Sequence, residues 1–203
     1  MTLKLINEAE KEKIGVDIDE VLLNFFGPFL KHHNQRNNTK FSKQDIWNYN
    51  IWDTFGQTRE FVISELNDFY TSSFFCSVTP IPGAAEGIRT LRERYALPVV
   101  TTRPTHIKSQ TLVSLATFFN GSFNSGISFV AREEKARRYK ELVVKRVIDD
   151  DLQVAKECSE LGIEVLLVDK RWNQTKKLPE RIIRVGDYRK EEGIWTEIQK
   201  ILT

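Results

Sequence analysis

Apolar and polar positions change rhythm once along this chain. The opening run, Lys13 to Leu22 (KIGVDIDEVL), places β-branched Ile14, Val16 and Ile18 two apart and fits no helical period, so it predicts a short buried strand ending in a turn. Val21–His33 follows with Leu22, Leu23, Phe25, Phe26, Phe29 and Leu30, a helix with a wide apolar face that Gly27 and Pro28 would bend or restart. A polar loop (NQRNNTK) separates it from Ser42 and Asp45, spaced as a helix start, and Thr58 and Glu60 open a further helix over Phe61–Tyr70. Residues 22–76 are rich in aromatic side chains, show no strand alternation and predict a compact helical insert.

From Pro80 onward strands and helices alternate. Helices are expected over Ala84–Tyr95, Thr105–Phe119, Glu133–Leu142, Leu152–Leu161 and Ile194–Leu202. Strands are expected over Leu97–Val100, Ile127–Val130, Val144–Ile148, Ile163–Val168 and Arg181–Val185. That alternation predicts an α/β fold, a Rossmann-like parallel sheet with helices on both faces, whose ligands bind beyond the carboxyl ends of the strands.

Composition narrows the picture. At 203 residues and 40% hydrophobic, the chain can bury one full core and a small addition. A net charge of +2, from 30 basic and 28 acidic residues, gives no basic field for a nucleic acid polymer. No apolar run approaches about 18 residues, so no membrane span is expected. Residues 1–12 form a polar leader, the opening MTLKLINEAEKEK has no apolar signal core, and the expected location is cytoplasmic. Cys76 and Cys158 stand apart and read as reduced, buried thiols; His32 and His33 read as solvent-exposed and unrelated to chemistry.

The carboxyl ends of the predicted strands gather polar groups on one rim. Asp17 and Asp19, two apart on extended backbone, can aim at one spot, although the same acids could simply cap the next helix. The next strands contribute Thr101, Thr102 and Arg103, then Asp149, Asp150 and Asp151, then Asp169. Acids from two strands suit a hard divalent cation such as Mg²⁺, hydroxyls and backbone N–H groups suit phosphate oxygens, and a lysine from a neighbouring helix would balance the remaining charge.

Four motifs in order carry a family likeness: IGVDIDEV, VVTTRP, Lys135 standing 14 residues before the acidic run VIDDD, and VLLVDKRWN. Together they resemble the haloacid dehalogenase-like phosphohydrolases, and more narrowly their 5′(3′)-deoxyribonucleotidase branch, over roughly residues 14–200. The resemblance implies Asp17 as the nucleophile that becomes an aspartyl-phosphate and Asp19 as the general acid and base. It implies phosphate contacts from Thr101, Thr102 and Lys135, with Lys140 the alternative lysine. Mg²⁺ would be held by Asp17, the backbone carbonyl of Asp19 and Asp149, with Asp150 beside them. It implies a core of residues 1–21 and 77–203 and a helical cap at 22–76. Arg103 is either a phosphate or substrate contact or a surface charge. Phe25, Phe26, Trp47 and Trp52 either stack a nucleobase or form cap core.

The expected partner is a small phosphate ester, most simply a nucleotide, and a homodimer is left open. Two rivals stand: the same chemistry on another small phosphate such as a sugar phosphate, and a non-catalytic phosphate-binding regulatory module. Against the latter, receiver domains carry adjacent acids on the first strand and a phosphoacceptor on a later one, whereas here the first acids are spaced by one residue.

Overall fold

A computed structural model describes residues 11–123, 125–190 and 192–203. The leader expected over residues 1–12 lies outside them except for its last two positions, and Glu12 already opens the first strand. Seven strands form one sheet: β1 (Glu12–Val16), β2 (Tyr95–Ala96), β3 (Val99–Thr101), β4 (Ile127–Phe129), β5 (Arg146–Asp149), β6 (Glu164–Val168) and β7 (Ile182–Val185). The order is β4-β3-β1-β5-β6-β7, with β2 paired to the start of β1, and every pairing is parallel. Val16 lies opposite both Val99 and Ile148, which fixes the register at the centre of the sheet.

Alternate strand residues face opposite ways and feed two apolar clusters. Val99, Ile148, Leu166 and Val168 point into one, completed by α4 (Ala84–Leu91), α5 (Lys108–Phe119) and α8 (Ile194–Leu202). Val100, Val147, Val165 and Leu167 point into the other, covered by α6 (Lys135–Glu141) and α7 (Leu152–Glu160). Buried on both faces, these strands are near-continuous aliphatic runs, as a parallel sheet requires. Gly87 lets α4 approach α8: a Cβ there would stand 2.3 Å from Trp195 Cε3.

Between β1 and α4 lie α1 (Phe26–Asn37), α2 (Ile51–Phe55) and α3 (Arg59–Tyr70), with a 3₁₀ turn at Lys43–Asp45. Their buried Phe29, Phe55, Val62 and Phe69 belong to the first cluster, so apolar contact runs unbroken from the sheet into these helices. Thr58 caps α3 by accepting the Phe61 N–H, as its position predicted. The helix expected over Val21–His33 starts five residues later, because residues 18–23 are spent on a turn. Gly27 and Pro28 do not interrupt it; they occupy its first turn, where a missing N–H costs nothing.

Two further expectations are corrected. His32 and His33 are buried, His33 stacking on Phe55 at 3.9 Å and bonding Glu65 Oε2 through Nδ1 at 2.7 Å. The polar residues around them had suggested solvent, but the aromatic side of α1 faces α3. Cys76 is exposed, whereas Cys158 is buried as expected, and both are free thiols. No helix among the described residues is long and apolar enough to cross a membrane.

Gly15 sits under the sheet's central crossing with Tyr139, whose ring carbon Cε1 would lie 2.4 Å from an added Cβ. Tyr139 is fully buried and has nowhere to move. Gly15→Ala is therefore expected to destabilise the fold by about 1–3 kcal/mol through overpacking; urea unfolding with an unchanged m-value and a lower midpoint would show it.

Candidate active site

β1 ends by hydrogen bonding into β5, the Asp17 N–H donating to the Ile148 carbonyl at 3.0 Å. The chain then folds tightly: the N–H groups of Leu22 and Leu23 donate to the Ile18 carbonyl, and Glu20 takes a left-handed conformation at φ 60°. Such a backbone is strained for a residue with a Cβ. Its side chain accounts for its presence. Glu20 Oε1 accepts the Phe26 N–H at 2.7 Å at the start of α1, and Oε2 accepts Lys170 Nζ at 2.9 Å and Lys43 Nζ at 3.1 Å. Burial alone would push this carboxyl up, but the two lysines and the N–H outweigh it and hold it down at about 2.

Because Val16 and Ile148 are in register, Asp17 and Asp149 emerge side by side at the strands' carboxyl ends. Carboxylate oxygens of Asp17, Asp149 and Asp150 lie within 4.8 Å of one another, all three residues buried. Lys135, at the first position of α6 and only 2% exposed, reaches Asp17 Oδ1 at 2.7 Å and Asp149 Oδ2 at 2.9 Å. Burial pushes the Asp17 carboxyl up to about 7, with Lys135 opposing and Asp149 adding to the rise. Asp150 is driven well up by burial and by the charges of Asp17 and Asp149. Burial also works against the Lys135 charge, yet Asp149 and Asp17 overcome it and raise the lysine well above its usual value. One lysine cannot balance three carboxylates. An all-oxygen donor set with surplus negative charge in a buried position fits a hard divalent cation.

Asp19 points elsewhere. Its two oxygens accept a fork from Arg103, Nε at 2.9 Å and Nη2 at 2.6 Å. The Arg103 side chain is 1% exposed, against 28% for that of Asp19, so the acid faces the cleft and the arginine stands behind it. The cleft, about 210 Å³, is lined by Asp17, Asp19, Thr102 and Arg103 at its floor and by Phe25, Phe26, Tyr49, Trp52 and Tyr70 on its walls.

With that geometry in place, comparison with known proteins is decisive. The family model described as "5′ nucleotidase, deoxy (Pyrimidine), cytosolic type C protein" matches residues 11–120, just over half of the chain. The chain belongs to this deoxy-5′-nucleotidase family. It is a haloacid dehalogenase-like phosphohydrolase, a phosphoric monoester hydrolase. No curated protein matches it in sequence. Solved structures share the fold at low identity. A protein of Haemophilus somnus 129PT described as a predicted phosphoglycolate phosphatase aligns with TM-score 0.66 and 14% identity, covering 95% of this chain and 98% of that one. The haloacid dehalogenase-type hydrolase YfnB of Bacillus subtilis, solved with magnesium bound, aligns with TM-score 0.61 and 16% identity, covering 95% and 99%.

The residues singled out in the sequence divide clearly in space. Asp17, Asp149 and Lys135 meet, and Asp150 joins them. Lys140, the alternative lysine, is instead exposed and donates to the Leu161 carbonyl at 2.9 Å. Asp151 caps α7, its carboxylate accepting the Gln153 and Val154 N–H groups. Thr101 is buried at the end of β3, its hydroxyl oxygen accepting the Arg103 N–H at 3.2 Å. Arg103 is no surface charge. Trp47 does not reach the cleft: it is 57% exposed, because the segment after the 3₁₀ turn is non-helical and buried Ile46 takes the inward direction. Tyr49 and Tyr70 line the cleft in its place, and neither was singled out, nor were Glu20, Lys43 and Lys170. The acid following Asp19 was the one available hint.

The Glu20 cluster carries a pH signature. Since the folded carboxyl titrates near 2 against an ordinary 4.5, its contribution is complete above about pH 5 and is lost as pH falls towards 2. Glu20→Gln should therefore lower unfolding free energy by roughly 3 kcal/mol at neutral pH, and the gap to the parent should narrow below about pH 4 and close only as pH approaches 2. Urea unfolding across that pH range measures it.

Proposed function

We propose that this protein is a Mg²⁺-dependent nucleotidase that hydrolyses nucleoside monophosphates through an aspartyl-phosphate on Asp17. The observation that carries the reading is the meeting of Asp17, Asp149, Asp150 and Lys135, of which Asp17 and Asp150 open onto a cleft walled by aromatic rings. Asp17 and Asp149, with Asp150, would hold the cation. When bound, Mg²⁺ supplies positive charge that draws a phosphate dianion to an anionic floor and offsets the charge developing on its oxygens. Lys135, between Asp17 and Asp149, contributes the same sign of charge from the protein side.

A carboxylate oxygen of Asp17 attacks phosphorus, the bond from phosphorus to the ester oxygen breaks, and Asp19 gives that oxygen its proton. Asp19 then takes a proton from water as the water oxygen attacks the same phosphorus; inorganic phosphate leaves and the Asp17 carboxylate is restored. Arg103 occupies both oxygens of Asp19 with one donor each, and each oxygen keeps a second lone pair for the transferred proton. Residues 22–76 act as a cap over the core formed by 1–21 and 77–203. Phe25, Phe26, Trp52, Tyr49 and Tyr70 present flat faces and edges on which a nucleobase can stack.

Asp17→Asn is expected to reduce Mg²⁺-dependent phosphate release by at least ~10³-fold with the unfolding midpoint preserved; near-parental turnover removes the nucleophile from Asp17. Asp19→Asn should lose more rate on nucleotides, whose alkoxide leaving group needs a proton, than on p-nitrophenyl phosphate, and equal losses would move the acid elsewhere. A steady-state panel of ribo- and deoxynucleotides, phosphoglycolate and sugar phosphates tests the substrate class. A kcat/KM highest on phosphoglycolate or a sugar phosphate keeps the phosphatase and discards the nucleotidase.

A further inference from the structure

The third carboxylate of the cluster is held differently from the other two. Asp17 and Asp149 share the Lys135 ammonium. Asp150 Oδ2 instead accepts the indole N–H of Trp172 at 2.9 Å. Trp172 stands on the 3₁₀ turn Arg171–Asn173 that follows β6, and the same turn grips the Asp150 backbone, Asn173 Nδ2 donating to its carbonyl at 2.8 Å. That carboxamide is anchored in turn: Nδ2 also donates to the Val168 carbonyl at 2.7 Å, and Oδ1 accepts the Lys170 N–H at 3.1 Å and Arg184 Nη1 at 2.6 Å. The Trp172 ring also meets Phe26 in the cleft wall, centroids 5.0 Å apart at 72°.

We propose that Trp172 is a positioning residue for the metal: it orients Asp150 toward the cation without neutralising it. The inference rests on the magnesium reading above. The chemistry of the donor is what matters. A lysine or arginine at this place would compete with the cation for the carboxylate charge. A neutral N–H on one oxygen stops the side chain rotating and leaves the other oxygen and the full charge available. Partners behind a ligand typically govern metal affinity about 10- to 100-fold. The edge contact with Phe26 adds a second restraint on the indole, from the cleft wall as well as from the turn.

Trp172→Phe removes the donor and keeps a ring against Phe26. Calorimetric titration of the full chain with MgCl₂ is expected to show binding weakened about 10-fold or more, while KM for a nucleotide at saturating Mg²⁺ and the metal-free unfolding midpoint stay close to parental. Trp172→His, which restores a ring N–H, should recover part of the affinity. A Phe variant that binds Mg²⁺ within about two-fold of the parent overturns the inference and leaves the magnesium reading standing. A parent that takes up no Mg²⁺ overturns both. Should the Phe variant fail to fold, ¹⁵N-indole spectra of the unsubstituted chain decide instead, with resonances assigned by substituting the other tryptophans in turn. The Trp172 N–H signal should shift on adding MgCl₂ while that of Trp195, bonded to the Val21 carbonyl, does not; an unmoved Trp172 signal counts against the role.

Discussion

Three buried carboxylates around a single buried ammonium are the constraint on which the rest of this molecule turns. Removing such groups from water costs several kcal/mol each unless opposite charge and hydrogen bonds offset it. Lys135 meets only part of that demand, which is why burial drives Asp17 up to about 7 and Asp150 well above its ordinary range. The fold holds the acids together despite this because their placement follows from backbone pairing. The Val16–Ile148 register of β1 and β5 delivers Asp17 and Asp149 to the same edge, and a slip of one residue would turn one of them to the opposite face. Beneath them Gly15 leaves room for the Tyr139 ring, which lets α6 lie close enough for Lys135 to reach both acids. The surplus of negative charge is thus built by the sheet, and its donor set fits a divalent cation.

The turn after β1 sends its next two acids to different duties. Asp19 goes to the cleft, backed by the Arg103 fork; Glu20 turns the other way, into a left-handed conformation, to join Lys43, Lys170 and the first N–H of α1. Neighbouring acids in sequence therefore serve the site on one side and the seating of the helical segment on the other. A short strained turn is what makes both possible within two residues.

Much of this was legible in the sequence wherever the determinant was local. Ile194–Leu202 is a helix with the bounds its pattern predicts, and β6 follows its aliphatic run to within a residue, since strands buried on both faces must be apolar throughout. The start of α1 was misread because Val21 to Phe25 continue the apolar rhythm although the first of them lie in a turn, and periodicity does not distinguish a buried turn from a buried helix. What escaped altogether depends on distant partners. Glu20 meets Lys170 across 150 residues, Trp172 meets Asp150 across a crossover, and His33 is buried only because Glu65 and Phe55 come to it. Trp47 failed for a different reason: composition placed aromatic residues near the cleft, but an irregular segment, with no period to read, decided which of them faced inward.

Those distant pairings also bind the cleft walls to the chemistry on its floor. Phe26 is linked through Trp172 to Asp150, a member of the carboxylate trio. Tyr49 lies under Arg132, 4.5 Å from ring centroid to guanidinium, and Arg132 is paired with Asp151 directly after that trio. Glu20 joins Lys43, beside the same segment, to Lys170 at the end of β6. Each of these contacts has one end near the aromatic walls and the other beside a residue of the carboxylate cluster or its strand ends. Phe26 is thus one residue removed from the carboxylate trio, whereas Tyr49 leads only to Asp151, the cap of α7. The aromatic walls and the carboxylates are therefore joined by side-chain contacts that no single stretch of the sequence contains.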